Sequence, residues 1–202
     1  PEDAVGYSSL LKAADSAMYD AKRSGKNQVQ RYHRDITRRH DNRYNLADDL
    51  FSRDVAEQMD VYFQPVYRTA DTSLVSVEGL LRWNHPTQGI LGPGSFLSIA
   101  NDLGQQRRID MIAISKSLEI MEEFADRGIA PKELSLNLTL ERLLDKPFMD
   151  EIIESMPMAC KLSIELVEST TLDAMDTRVS WSIDRLKEAG IGLMLDDFGS
   201  RH

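Results

Sequence analysis

The spacing of apolar residues changes along this chain, and the changes mark out its elements. Leu10, Leu11, Ala14, Ala17, Met18 and Ala21 recur with a helical period, which predicts an amphipathic helix. Ser8 or Ser9 is placed to cap it, and Ser24-Gly25-Lys26-Asn27 to stop it. Gln28 to Tyr32 then alternates as a short edge strand would. One helix and one strand bury too little for a core, so residues 1–33 read as the end of a domain begun elsewhere. A polar stretch rich in Arg and His covers residues 31–43, after which Tyr44, Leu46, Leu50, Phe51 and Val55 suggest a second amphipathic helix. Residues 34–58 are expected to connect two domains, helical in their second half. Asp35, Asp41 and Asp48 interrupt the basic cluster, which favours a solvated linker over a membrane or nucleic-acid patch.

Beyond the linker the pattern changes. Strand-like runs at Val61–Tyr67, Leu74–Leu81, Leu134–Leu138, Leu162–Leu166 and Gly192–Leu195 are separated by helical stretches at about Ser95–Leu103, Ile109–Arg127, Leu140–Ser155 and Met175–Ala189. The first two strands are close enough to form a hairpin. Gly128 and Gly190 sit where helices should end. The later strand–helix–strand rhythm predicts an α/β fold with a parallel sheet covered by helices.

Composition narrows the picture only slightly. The 202 residues are 42% hydrophobic, enough for a sizeable core. No run approaches the ~18 apolar residues of a membrane span, and no signal segment opens the chain. It begins at Pro1 without Met, so the natural start is expected upstream, and membrane anchoring by such a segment is left open. Cys160 is the only cysteine, which excludes an internal disulfide and fits a reducing cytoplasm. A net charge of −9 argues against a nucleic-acid polymer as partner. Metal ions and a few arginines can still reverse the field locally for a phosphorylated ligand.

The candidate chemistry lies at the strand ends. Glu78 comes late in the second strand, Asn137 in the third, Glu165 in the fourth, and Asp196-Asp197 directly after the fifth. Each alone has an ordinary reading as a turn, cap or surface residue. Their recurrence at one relative position is harder to reach by chance, because parallel strands of a barrel bring their C-terminal ends to one face. All are oxygen donors, suited to Mg²⁺ or Mn²⁺ and poorly suited to zinc. Clustered carboxylates repel one another, and divalent cations relieve that repulsion. Two ions roughly 3.5–4 Å apart would clamp both oxygens of a phosphoryl transfer.

The same residues fall in motifs. Tyr62-Phe63-Gln64-Pro65-Val66, Val77-Glu78-Gly79-Leu80-Leu81-Arg82-Trp83-Asn84-His85-Pro86, Gly89 through Phe96, Ser135-Leu136-Asn137-Leu138-Thr139, Ile164-Glu165-Leu166-Val167-Glu168-Ser169 and Leu195-Asp196-Asp197-Phe198-Gly199 together resemble the first part of EAL-domain cyclic di-GMP phosphodiesterases, over about residues 60–202. Residues 10–33, with Ala14-Asp15-Ser16-Ala17-Met18-Tyr19 and Gly25-Lys26-Asn27, resemble the end of a GGDEF (diguanylate cyclase-like) domain. The resemblance implies an incomplete TIM-type barrel over 59–202, preceded by a GGDEF remnant at 1–33 and the linker at 34–58. It implies metal-dependent hydrolysis of cyclic di-GMP to linear pGpG with two Mg²⁺ or Mn²⁺ ions. Glu78, Asn137, Glu165, Asp196 and Asp197 match its metal ligands, and Glu78 and Glu168 its catalytic glutamates, Glu168 holding the loop after the Asp-Asp pair. Arg82 matches the phosphate-binding arginine and Gln64 a ligand-facing glutamine. A homodimer through the EAL domain, and an upstream sensory or GGDEF domain, are the partners it implies.

Departures from the family pattern sharpen the alternatives. Gly79 replaces the alanine of the name-giving triplet, Asn101 stands where glutamate is frequent, and Ser200-Arg201-His202 replace Thr-Gly-Tyr. Arginine resists backbone angles that glycine accepts, so the loop after Asp197 is expected to be altered. The family's later lysine, a further glutamate ligand and a downstream glutamine fall beyond residue 202. The fragment by itself is therefore expected to be inactive and to expose apolar strand edges. The competing function is a degenerate EAL domain that senses cyclic di-GMP without cleaving it. Trp83 and Phe96 are expected to pack in the core, and His85 to serve a turn.

Overall fold

A computed structural model of the chain describes residues 6–23, 25–156, 160–167 and 177–196. The chain divides into two compact units, residues 1–55 and 56–202. In the first, α1 (Tyr7–Arg23) and α2 (Arg34–Leu50) are joined by an ion pair of 3.1 Å between Lys12 and Asp41. Helix α1 starts a residue or two earlier than its serines suggest. Gly6 supplies the first carbonyl, and Ser9 turns its hydroxyl back onto it at 3.0 Å. Ala13, Ser16 and Ala17 are buried while Leu10, Leu11 and Met18 are exposed, so small residues form the inward stripe.

Two expectations are corrected here. Residues 28–32 form no strand, and Val29 is fully exposed. An isolated strand has no ladder to satisfy its backbone groups, and no neighbour pairs with this one among the described residues. Helix α2 begins at Arg34 and ends at Leu50, so the helix expected in the second half of residues 34–58 instead covers the first two thirds. Asp35 in its first turn pairs with Arg38 at 3.3 Å, and Ile36 is buried together with Leu46 and Leu50. Charge at helix spacing had concealed the helical period.

In the second unit, α3 (Val55–Gln58) runs into β1 (Met59–Tyr67), followed by β2 (Leu74–His85), β3 (Gly89–Leu91), α4 (Pro93–Asp102), α5 (Gln106–Asp126), β4 (Glu133–Leu138), α6 (Leu140–Leu143), α7 (Lys146–Glu154), β5 (Lys161–Val167), α8 (Thr177–Glu188) and β6 (Gly192–Asp196). The sheet order is β1-β2-β4-β5-β6, with β3 also on β2. As expected, β1 and β2 form an antiparallel hairpin, and β2, β4, β5 and β6 run parallel. The result is a mixed α/β fold built on a parallel sheet. Strand β3 escaped the sequence reading because three residues are too few to show a period. The single helix expected over 140–155 is two. Asp145 caps the second by accepting from the Phe148 amide at 3.2 Å, and Pro147 fits only a first turn. Gly128 and Gly190 do end helices, at φ 69 and 77. The Ile129 and Ile191 amides reach back to Phe124 and Leu186 at 2.9 Å, the bond of a Schellman stop.

One face of the sheet is covered by helices. Leu134, Leu136 and Leu138 of β4 and Leu162, Ile164 and Leu166 of β5 pack with Ile114, Leu118 and Met121 of α5 and Phe148, Met149 and Ile152 of α7. Each such side chain contributes roughly 1.5–3 kcal/mol by leaving water. Trp83 and Phe96 are fully buried in edge contact at 5.6 Å between centroids, and the Trp83 indole donates to Gln58 at 3.0 Å. His85 closes the turn into β3, accepting from the Thr87 amide at 3.3 Å. Among the described residues, no helix is long and apolar enough to cross a membrane.

A buried ionic contact ties α5 to α6. Asp110 accepts from Gln106 at 2.7 Å, and its other oxygen lies 3.7 Å from Nε of Arg142, too far for a hydrogen bond. Both of those atoms lack hydrogen-bond partners. Arg142 itself is held by Glu141 at 2.9 Å and Asp145 at 3.0 Å. Burial pushes the Asp110 carboxyl up to about 6; the Gln106 bond and the Arg142 charge oppose the shift, and Glu141 adds to it. The folded state thus takes up this proton more readily than the unfolded chain. Its stabilising contribution is complete below the ordinary carboxyl range and is lost as pH rises through about 6. Asp110→Asn cannot titrate, so its melting temperature relative to the native protein should be higher at pH 8 than at pH 5. Melting curves at the two pH values test this, and an equal difference at both would refute it.

Candidate functional site

Strand geometry decides which side chains meet. Alternate residues point to opposite faces, and Val77, Gly79, Leu81 and Trp83 of β2 are on the buried side. Glu78, Leu80 and Arg82 therefore share the other face. In the antiparallel register Gln64 lies opposite Glu78, Tyr62 opposite Leu80 and Asp60 opposite Arg82. In the parallel registers Glu78 pairs with Ser135, Asn137 with Glu165, and Glu165 with Met194. Gln64, Glu78, Arg82, Asn137 and Glu165 thus stand on one face; β2 runs on to His85, so Glu78 lies within its strand rather than late in it. Asp196 closes β6 in register with Val167. Its side chain, with Glu168, Asp197 and the Arg201 segment, lies outside the described residues.

This face is polar even where it is buried. Ser135 and Ser163 are almost fully enclosed, and Ser163 donates to Glu133. Next along β4, Asn137 donates from Nδ2 to Glu78 Oε1 at 2.7 Å, bridging β2 and β4. Once the amide nitrogen faces Glu78, its oxygen is turned elsewhere. Asn137 Oδ1 is buried without a hydrogen-bond partner. A buried oxygen in that state costs about 1–3 kcal/mol unless something positive completes it. A carboxylate and an unsatisfied amide oxygen held together form half of a hard-cation site. Among the described residues no three His, Cys, Asp or Glu groups complete such a site. The expected set draws its remaining members from Glu165, in register with Asn137, and from Asp196 and Asp197.

Arg82 supplies the opposite charge. It is half-buried, donates to the Leu81 carbonyl at 2.9 Å, and holds its guanidinium 5.8 Å from the Tyr62 ring centroid. Among the described residues no carboxylate forms an ion pair with it. Asp60, its register partner, instead accepts from the Val61 amide at 2.8 Å. A cation with no counter-charge among the described residues, on the same face as the Glu78–Asn137 pair, suits a ligand that bridges metal and arginine, as a phosphate does.

The EAL domain family model matches residues 48–202. The chain belongs to the EAL domain family. Over 204 residues this EAL chain is 27% identical to the cyclic di-GMP phosphodiesterase NbdA of Pseudomonas aeruginosa, a match covering 99% of this chain and 26% of that protein. It is 26% identical, also over 204 residues, to the bifunctional diguanylate cyclase/cyclic di-GMP phosphodiesterase MucR of the same organism, covering 99% and 30%. The solved PaMucR phosphodiesterase in complex with c-di-GMP aligns with a TM-score of 0.68 at 27% identity, over 78% of this chain and 65% of that one. The chain spans less than a third of these two curated relatives.

Two features of the EAL site were not singled out as functional from the sequence. Tyr62 appeared there only as part of a motif, although its place two residues before Gln64 was a signal for a shared face. The other is the floor of the polar face, where Gly192 of β6 lies against Ser163. A β-carbon on Gly192 would overlap the Ser163 hydroxyl and meet its Cβ at 3.1 Å. Ser163 is packed and bonded to Glu133, so it has little room to retreat. Gly192→Ala should therefore destabilise the fold by about 1–3 kcal/mol. Denaturant unfolding of the full-length protein measures it, and an unchanged midpoint would contradict the close approach.

Proposed function

We propose that the full-length protein hydrolyses cyclic di-GMP to linear pGpG with two Mg²⁺ or Mn²⁺ ions, this chain supplying the first part of its TIM-type barrel. The observation that carries the reading is Asn137, held by Glu78 with its own oxygen left buried and unpartnered. The family match and the names of the relatives support the substrate. Residues 1–33 are the end of a GGDEF domain and 34–58 its connector. A match to the bifunctional MucR over 99% of this chain supports that assignment.

Glu78, Asn137, Glu165, Asp196 and Asp197 would hold the ions. Bound divalent ions supply activated water and neutralise charge on the phosphate. Arg82 presents its remaining donors to the phosphate oxygens and holds the bound substrate by that charge-assisted contact. Gln64, opposite Glu78, faces the ligand from the hairpin. Asn137 fixes the Glu78 carboxylate by its 2.7 Å bond, so the acid meets an incoming cation already oriented. The family motifs assign Glu168 the role of holding the loop after the Asp-Asp pair.

The full-length protein, given cyclic di-GMP with Mg²⁺ or Mn²⁺, should yield pGpG by chromatography. Glu78→Ala should lower the rate by more than the roughly 10–100-fold typical of outer-shell changes at metal sites. Normal turnover in Glu78→Ala would overturn the metal assignment. Tight dinucleotide binding by the native protein without product would convert the reading to a sensor.

A further inference from the structure

Arg82 poses a problem for any phosphate grip: a long, flexible cation must be held still without a carboxylate that would compete for it. Asp60 stands opposite in register but spends one oxygen on the Val61 amide, and no acid pairs with the guanidinium among the described residues. Two contacts position it instead. Nη1 donates to the Leu81 carbonyl at 2.9 Å, and the guanidinium carbon sits 5.8 Å from the centre of the Tyr62 ring. An aromatic face attracts a cation within about 6 Å and uses none of its N–H donors. The ring also brings no formal charge, so it does not neutralise the field a phosphate would meet.

The register makes this contact a property of the fold. Tyr62 lies opposite Leu80, on the site face between Gln64 and Asp60, and Arg82 is two residues along from Leu80. Tyr62 keeps 45% of its surface exposed, more than a core aromatic would, so packing alone does not account for its position.

We infer that Tyr62 is a positioning residue for the anion-binding arginine, its ring holding the Arg82 guanidinium so that the free N–H edge is presented to a substrate phosphate. This rests on the phosphodiesterase reading of the site and adds a residue to it. The contact exists before substrate arrives, so it acts mainly on binding rather than on the chemical step.

A double-mutant cycle in the full-length protein tests it, with pGpG production from cyclic di-GMP giving KM and kcat. Tyr62→Leu should raise KM about threefold to tenfold, with kcat changed less than about twofold. Tyr62→Phe, which keeps the ring, should retain the native KM. In an Arg82→Ala background, Tyr62→Leu should add nothing. Tyr62→Gln gives a second ring-free variant should the leucine disturb folding, and melting temperatures check both. A purely structural role would lower stability without this dependence on Arg82. The inference falls if the Tyr62 effect persists in Arg82→Ala, or if ring-free variants that fold keep the native KM. If Arg82→Ala itself leaves KM unchanged, the phosphate grip falls too and the substrate reading loses its anchor.

Discussion

A strand can offer only alternate residues to each face, and in β2, β4 and β5 one of the two sets is committed to the helices. Leu134, Leu136, Leu138, Leu162, Ile164 and Leu166 must face α5 and α7 to leave water. That commitment dictates the other set: Glu78 and Arg82 on β2, Ser135 and Asn137 on β4, Ser163 and Glu165 on β5. A slip of one residue would put the carboxylates among leucines and the leucines in the site. The apolar layer therefore supplies the energy that holds the polar residues in an arrangement they would not adopt alone.

Polar groups held this way need partners, and the face meets that need unevenly. At its floor Ser163 and Glu133 satisfy each other, with Gly192 close beneath. Higher up, Asn137 satisfies Glu78 and is left with an unpaired oxygen. Beside them Arg82 rests on an aromatic ring instead of an acid. The remaining demand is of both signs, a cation for the oxygens and an anion for the guanidinium. A metal-bound phosphodiester meets both at once, which a free metal or a free anion would not.

How much was legible in advance follows from the length over which a pattern repeats. The five longer strands and the hairpin were readable because β-branched and leucine-rich runs recur between helical stretches. Glu78, Asn137 and Glu165 could be placed together because each falls late in an apolar run, whereas Gln64 and Arg82 joined them only through the family motifs. Strand β3 was too short to show a period, and α2 was masked by charges spaced for a helix but read as a linker. Residues 28–32 had the alternation of a strand and no neighbour to pair with, a condition that local sequence does not encode. The Asp110–Arg142 contact was equally invisible, since it joins residues 32 apart in number through tertiary packing alone.

The departure at the centre of the family's name-giving triplet takes its meaning from the same alternation. Glu78 and Leu80 face the site, so Gly79 between them faces the helices. A β-carbon there would meet Leu136 Cδ2 at 2.6 Å, Ser117 Oγ at 3.3 Å and Val61 Cγ1 at 3.4 Å. The volume an alanine methyl would take is occupied in this chain by a leucine methyl, so glycine at 79 matches the packing around it and removes nothing from the site. Its consequence is indirect. Leu136 precedes Asn137 on β4, and the leucine that fills the space beside Gly79 also fixes the strand that brings the amide to Glu78. The triplet's middle position therefore bears on the site through β4, by leaving room for the Leu136 side chain, and Glu78 before it bears on the site directly.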